Sequence, residues 1–446
     1  MIFGTSGVRG YVDKNVTPSL IYKLTLAYIK YTDYKRVIVG QDDRPQSKLL
    51  KGAVIDALLS QGVEVFDAGL APTPALARFI KEYKAEGAIS ITGSHTPPYI
   101  AGVLYFLHDT GELGVIDSQR VESIYYKISD KPKNWRKLGK YELIDEAIED
   151  YVKSIKRDVG KPKSYRFLFD AANGAMGRYA KAVFEDLGLN FKIINYTPLG
   201  DFPVRLPSPI PQHLRKTALF MKENAFDVGI ATDSDGDRAI FMSADGRPIL
   251  GDIVGAYFAS LELNGSGDKV VTPINSSDSI IEVARRFKAK IVWTKVGPPA
   301  IVDAVRKHAN AVFAFEESGK YIWPKVLLYG DAVFSALKAL SLDNFLENLT
   351  RIPRFYVIKR EVRCADEIKY KVIEELNGII NVRKTVKDGI KAFYSKHDWL
   401  LIRASGTEPL IRVFGHSKAL KKALQLAKEG VALVKGVKSK LEKTTS

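Results

Sequence analysis

Three carboxylates stand at alternate positions in Thr232-Asp233-Ser234-Asp235-Gly236-Asp237-Arg238, directly after the apolar run Val228-Gly229-Ile230-Ala231. In a locally extended loop this alternation can turn all three side chains toward one point, where a hard divalent cation bound through oxygen relieves their repulsion. Mg²⁺ is the natural candidate. A calcium EF-hand does not fit, because counting from Asp233 puts Arg238 at the sixth position, where glycine is needed, and Ala244 at the twelfth, where glutamate is needed. An acidic surface turn is the other reading of these residues. Three carboxylates leave an octahedral shell incomplete, and phosphate oxygen is the usual partner for such a cation.

Thr92-Gly93-Ser94-His95-Thr96-Pro97-Pro98 follows the apolar run Gly87 to Ile91, so Ser94 is expected on a loop at the end of a strand. It is not a hydrolase elbow, since Thr92 stands where that motif needs glycine. A capped turn is the plainer alternative. Arg403-Ala404-Ser405-Gly406-Thr407-Glu408-Pro409, with Arg412 beyond it, follows an expected strand from Trp399 to Ile402. Its hydroxyls, the turn amides freed by Gly406 and two guanidinium forks suit a phosphate cradle, and an ordinary polar turn is the alternative. Glu316-Glu317-Ser318-Gly319-Lys320 follows the strand Ala311 to Phe315 and offers paired carboxylates and a hydroxyl suited to sugar hydroxyls. It lacks the earlier glycine of a Walker A loop, and glutamates at a helix start are the other reading.

The elements that must carry these loops follow a repeating pattern. Arg36 to Val39, an amphipathic run with Leu50, Ala53, Val54, Ala57 and Leu58 at helical spacing, and Val63 to Phe66 form one βαβ unit, with Gly62 ending the helix. Phe167 to Ile194 repeats the pattern through the turn Asn173-Gly174. Val270 to Trp293 repeats it with a helix cap expected at Ser277-Asp278. Beyond about Asn348 an alternating strand, a helix, further strands and a final helix predict an α+β unit. The expected architecture is α/β, with three related α/β domains and a C-terminal α+β domain around a central cleft. Seams are expected near 145, 243 and 349. They divide the chain into domains 1–145, 146–243, 244–348 and 349–446, which hold the Ser94, aspartate, glutamate and Arg403 loops in turn.

Composition agrees with several packed units. The chain has 446 residues and 46% hydrophobic content, enough for two to four cores. The single cysteine, Cys364, forms no internal disulfide, and no apolar stretch reaches the ~20 residues of a membrane helix, so a soluble protein of a reducing cytoplasm is expected. A net charge of +16 fits a nucleic-acid partner, phosphorylated substrates or a Lys-rich surface. The densest basic region, Lys418 to Lys443, has the spacing of an amphipathic helix with a solvated Lys face, and no nucleic-acid recognition motif accompanies it.

Taken in order, FGTSGVRG, TGSHTPP, DSDGDR, FEESGK and RASGTEP resemble the α-D-phosphohexomutase family over almost the whole chain. The resemblance implies a heart-shaped protein of four domains. By similarity, Ser94 carries a transferable phosphoryl group and joins Asp233, Asp235 and Asp237 around one Mg²⁺ per chain. Arg9 and Arg238 stabilise charge at the reacting phosphate. Glu316 and Ser318 match positions that hold sugar hydroxyls, and Arg403, Ser405, Gly406, Thr407 and Arg412 match the loop that grips the phosphate not being transferred. The implied activity interconverts hexose 6-phosphate and hexose 1-phosphate through a bisphosphorylated hexose, which also serves as activator.

The chain departs from the family where a lysine is usual, at Leu104, and where histidine is frequent, at Pro298 and Lys320. His95 is the first candidate for acid or base, or it holds the loop by hydrogen bonding; Lys295 and Lys320 are candidates for substrate binding or proton traffic. The glutamate loop points to mannose and glucose phosphates, with glucosamine phosphate as the alternative. A metal-dependent sugar phosphatase and a basic nucleic-acid-binding protein are more distant readings. The expected partners are small-molecule sugar phosphates, without nucleic acid or membrane, and nothing in the sequence selects an oligomeric state.

Overall fold

The computed structural model describes residues 2–129, 131–406 and 408–445. Its first sheet orders the strands Val8–Gly10, Ala101–Phe106, Gly87–Ile91, Arg36–Gln41, Glu64–Leu70 and Tyr141–Leu143. Arg36–Gln41 runs parallel to both neighbours, and its near-continuous burial is what a strand covered on both faces requires. The helix Pro45–Ser60 lies against it through Leu50, Val54, Ala57 and Leu58 of the expected stripe, with Ala53 half-buried at its side, and ends two residues before Gly62.

The second and third sheets share one plan: three parallel strands and an antiparallel strand at one edge. The second runs Ala239–Ser243, Val228–Thr232, Arg166–Asp170, Asn190–Ile194. The third runs Lys290–Thr294, Lys269–Pro273, Ala311–Phe315, Tyr321–Ile322. The fourth is a five-stranded antiparallel sheet, Tyr356–Arg363, Leu410–Ser417, Trp399–Ala404, Ile390–Phe393, Lys384–Thr385. Helices Asp366–Ile379 and Leu420–Thr445 cover it through Val372, Leu376, Val434 and Val437, while Lys421, Lys428 and Lys435 face solvent.

One apolar cluster runs from Phe79 and Phe106 through Phe169 and Phe241 to Phe258 and Phe313, so the first three units share a core. The fourth has its own. A smaller patch of Ile274, Trp399, Leu401 and Phe414 joins it to the third. Asp278, read from sequence as a helix cap, occupies the cap position but makes no capping bond. Its carboxylate instead accepts from Trp399 Nε1 at 3.0 Å and lies 3.0 Å from His397 Nδ1, because the fourth unit offers donors closer than the helix amides. Among the described residues no helix is long and apolar enough to cross a membrane.

Candidate active site

Four of the five motif loops leave a strand at its C-terminal end, where α/β sheets collect ligand-binding groups, while FGTSGVRG runs into the strand Val8–Gly10. The strand Gly87–Ile91 delivers Ser94 with φ 50°, a left-handed conformation that costs a non-glycine residue about 1–3 kcal/mol and persists only where surroundings hold it. Here they do. The Ser94 N–H donates to Thr92 Oγ1 at 2.7 Å. The Ser94 carbonyl accepts from the Arg44 guanidinium at 2.8 Å and from Ser234 Oγ at 2.7 Å. Arg44 also reaches the Thr96 carbonyl at 2.7 Å and pairs with Asp42, whose carboxylate holds Thr92 Oγ1 at 2.9 Å and the Gly93 N–H at 3.0 Å. Arg44 and Asp42 thus fix the serine loop from below.

The loop from Asp233 to Arg238 joins Val228–Thr232 to Ala239–Ser243, and its three aspartates are buried with ligand oxygens within 4.8 Å of one another. Ser94 Oγ donates to Asp233 Oδ2 at 3.2 Å, so two sequence-distant motifs meet. Asp235 and Asp237 each have one oxygen held by the protein. Thr73 Oγ1 donates to Asp235 Oδ2 at 3.0 Å. Tyr329 OH donates to Asp237 Oδ2 at 2.6 Å and Lys320 Nζ lies 2.7 Å from the same oxygen. The Oδ1 atoms of Asp235 and Asp237 are buried without a hydrogen-bond donor, with Arg238 Nε 3.7 Å from the second. Two orphan carboxylate oxygens beside a third acid fit a hard cation.

The electrostatics agree. Burial, followed by repulsion from the neighbouring aspartates, raises Asp233 well above the usual carboxylate range and raises Asp235 as well. Burial acts the same way on Asp237, yet Lys320 and Arg238 outweigh it and hold that carboxyl at about 2. A divalent cation would relieve the first two by adding the positive charge they lack.

Arg238 donates to His95 Nδ1 at 2.9 Å and its Nε lies 3.5 Å from Asp233 Oδ2. Ser94 Oγ is 3.3 Å from the same imidazole nitrogen. Protein crowding around His95, then Arg238 and Arg9, holds its imidazole well below the usual histidine range. Arg9, half-buried on the strand Val8–Gly10, acts through its charge on Glu112 and Asp235 as well as His95. Glu112, in no motif, accepts Ser6 Oγ at 2.9 Å.

The glutamate loop docks on the acid loop. Gly319, with φ 86°, admits no side chain, since a Cβ there would stand 2.6 Å from the Ala239 carbonyl, and the Ala239 N–H donates to the Gly319 carbonyl at 2.9 Å. Glu316 is buried, Ser318 Oγ is buried without a protein partner, and Lys320 is turned onto Asp237. The structure therefore separates the two lysines expected at the substrate: Lys320 serves the acid triad, whereas Lys295 is exposed at a cavity of about 210 Å³.

That cavity is also lined by Thr5, Asp388, Arg403 and Gly406. Arg403 and Arg412 are register partners on neighbouring strands and so share one face of the fourth sheet. Arg412 pairs with Glu408 and lies 3.6 Å from Glu361. Lys369, buried on its helix, donates to the carbonyls of Ser405 at 2.7 Å and Glu408 at 3.4 Å, which fixes the base of the loop. Thr407 lies outside the described residues. Arg44, Thr73, Glu112, Tyr329 and Lys369 carry no motif, and their roles come from partners far along the chain.

The fold and the site define a four-unit protein in which a serine, an acid triad and a buried lysine meet from the first three units, while Arg403 of the fourth lines a cavity with Lys295 and Thr5. Residues 1–132, 149–246 and 250–345 match the phosphoglucomutase/phosphomannomutase alpha/beta/alpha domains I, II and III, and residues 361–433 match that family's C-terminal domain. A phosphoglucosamine/phosphogalactosamine mutase of Sulfurisphaera tokodaii is 33% identical over 98% of this chain and 99% of its own. A phosphoglucomutase/phosphomannomutase of Thermococcus kodakarensis is 32% identical over 97% of this chain and 98% of its own. Among solved structures, a phosphoglucomutase/phosphomannomutase family protein from Burkholderia thailandensis superposes with a TM-score of 0.85 at 22% identity, over 98% of this chain and 97% of that one. The chain belongs to the α-D-phosphohexomutase family, as its five motifs implied. It is an enzyme of the mutase class, an isomerase acting on hexose phosphates.

Proposed function

We propose that this enzyme interconverts the 6- and 1-phosphates of a hexose through a phosphoserine at Ser94 and a bisphosphorylated sugar. The observation that carries the reading is the contact of Ser94 Oγ with Asp233 Oδ2 at 3.2 Å, which places a nucleophilic hydroxyl at the edge of a buried acid triad. In the first half-reaction a hydroxyl of the bound sugar phosphate takes the phosphoryl group; the bond from phosphorus to Ser94 Oγ breaks and one to the sugar oxygen forms. The bisphosphate turns end for end, and its other phosphoryl group returns to Ser94. The proton lost by the sugar hydroxyl in one half is restored to the sugar in the other, so the cycle is balanced.

A Mg²⁺ held by Asp233, Asp235 and Asp237 would supply a Lewis acid beside the transferring group. Arg238 and Arg9 add fixed positive charge where the phosphoryl oxygens gather. His95 orients rather than accepts a proton at Nδ1, because the Arg238 N–H already occupies that lone pair. Glu316 and Ser318 face the sugar, while Arg403, Ser405, Gly406 and Arg412, with Lys295 across the cavity, grip the phosphate that stays. The reading keeps the four domains at 1–145, 146–243, 244–348 and 349–446, and a cytoplasmic setting where sugar phosphates are the partners.

Glucose and mannose phosphates follow from the glutamate loop, which offers hydroxyl-binding groups without an element that rejects either epimer. Glucosamine phosphate has separate support, since relatives from Sulfurisphaera tokodaii and Methanocaldococcus jannaschii that match almost this entire chain are named for it. Measuring 1-phosphate formation from the three 6-phosphates ranks them by kcat/KM. Ser94→Ala is expected to abolish conversion of every sugar. Full turnover by that variant, or release of inorganic phosphate in place of 1-phosphate by the unaltered enzyme, would overturn the reading.

A further inference from the structure

Asp388 belongs to none of the five motifs. It sits in the turn before the strand Ile390–Phe393, followed by Gly389 with φ 84°. A Cβ on Gly389 would stand 2.2 Å from the Ile402 carbonyl and 2.7 Å from Arg403 Cα, so glycine alone lets this turn press against the strand that carries Arg403. The Asp388 carboxylate is thereby brought to the guanidinium, and its Oδ2 accepts from Arg403 Nε at 3.0 Å. The same oxygen accepts the backbone N–H of Val296 at 3.0 Å. Val296 belongs to the third unit, in the loop that also presents Lys295. A second tie lies beside the first, where Lys387 Nζ donates to the Trp293 carbonyl at 2.5 Å.

We infer that Asp388 is a positioning residue that couples docking of the fourth unit against the third to the readiness of Arg403 for phosphate. The inference rests on the proposed function, which gives Arg403 its phosphate. One carboxylate oxygen serves both partners. Toward Arg403 it engages Nε, and among the described residues none accepts from the two terminal nitrogens, which keep the fork that phosphate needs. Toward Val296 it registers whether the two units lie together. When the units part, the carboxylate loses its second donor, and the guanidinium is no longer held over the cavity lined by Lys295, Arg403 and Gly406. Substrate phosphate that engages Arg403 therefore favours the docked arrangement, because only that arrangement presents the fork.

The sign of one substitution separates this role from simple charge. A carboxylate that merely lay near bound phosphate would repel it, and its neutralisation would lower KM. The latch requires the opposite: Asp388→Asn raises KM for the preferred hexose 6-phosphate about tenfold, with kcat changed less than about twofold. Calorimetry with inorganic phosphate shows weaker binding to Asp388→Asn than to the unaltered protein. Val296→Pro removes the amide donor while also restricting the backbone at Lys295 and Val296, so the double-mutant comparison isolates the donor: it raises KM in the otherwise unaltered enzyme but adds nothing in an Asp388→Ala background. Should Val296→Pro fail to fold, Asp388→Asn decides alone, since it leaves the main chain untouched. A lowered or unchanged KM in Asp388→Asn overturns the inference, as does an equal effect of Val296→Pro in both backgrounds. An unaltered enzyme without mutase turnover would instead defeat the proposed function, a separate outcome.

Discussion

Lys320 Nζ lies 2.7 Å from Asp237 Oδ2, and both side chains are almost fully buried. The lysine is therefore the nearest counter-charge of the acid triad, and with Arg238 behind it keeps Asp237 ionised. Lys320→Met leaves Asp237 with only the more distant Arg238 and the Tyr329 hydroxyl, a loss of up to about 3–5 kcal/mol. A bound cation would make good part of that loss. Thermal unfolding with chelator and with Mg²⁺ should show a low Tm for metal-free Lys320→Met and a larger rise on adding Mg²⁺ than the unaltered protein gives. Equal rises would mean that lysine and metal do not share the same carboxylate.

Arg44 sets the strained geometry of the Ser94 loop. Its guanidinium holds the carbonyls of Ser94 and Thr96, pairs with Asp42, and lies 4.7 Å from the Phe202 ring. Lysine keeps the charge but not the fork or the stacked plane. Arg44→Lys should lower kcat at least about tenfold with KM little changed, because the serine moves while the phosphate grip is untouched. Steady-state kinetics check it, and a rise in KM alone would place Arg44 elsewhere in the cycle.

In the fourth unit, Lys369 supports the loop proposed to hold phosphate through the carbonyls of Ser405 and Glu408. Lys369→Met should raise KM several-fold with kcat near its usual value. Arg403→Ala should raise KM by more than about tenfold, since it removes a direct, charge-assisted contact. An unchanged KM in Arg403→Ala would remove that loop from phosphate binding.

The seam between third and fourth units should weaken in acid. His416 is buried, stacked 4.4 Å from Trp399, and its Nε2 accepts the Asp278 N–H at 3.2 Å. Burial, against the pull of Asp278, lowers this imidazole to about 4. A histidine held below its unfolded value of about 6.5 contributes stability that is fully present above pH 6.5 and lost as pH falls toward and through 4. The full loss is on the order of 3 kcal/mol. His416→Gln keeps an acceptor without the titration, so the fall in Tm between pH 6.5 and 4.5 should shrink. An identical acid limb in both proteins would assign the loss to other groups.

Much of the architecture was open to a reading of residues in order. The helix Pro45–Ser60 buries the stripe that its spacing announced, and Ser94, Asp233 and Glu316 all leave buried strands where an apolar run breaks into polar residues. The groups that hold the site were not open to it. Arg44 meets Ser234 across 190 positions and Thr73 meets Asp235 across 162, and no local pattern marks either pair. Asp278 shows the converse, because a residue well placed to cap its own helix was taken by Trp399 and His397 of another unit.

The sequence by itself determined the chemical inventory and the strand end at which each part stands, because alternation, helical period and turn residues act over a few neighbours. Which cation meets which anion was decided only by the tertiary structure. Lys320 and Lys295 look alike in the chain, yet one is sealed against Asp237 and the other is exposed at the cavity beside Arg403. Excluding water makes such a choice strong, and it depends on distance in space, which sequence separation does not record.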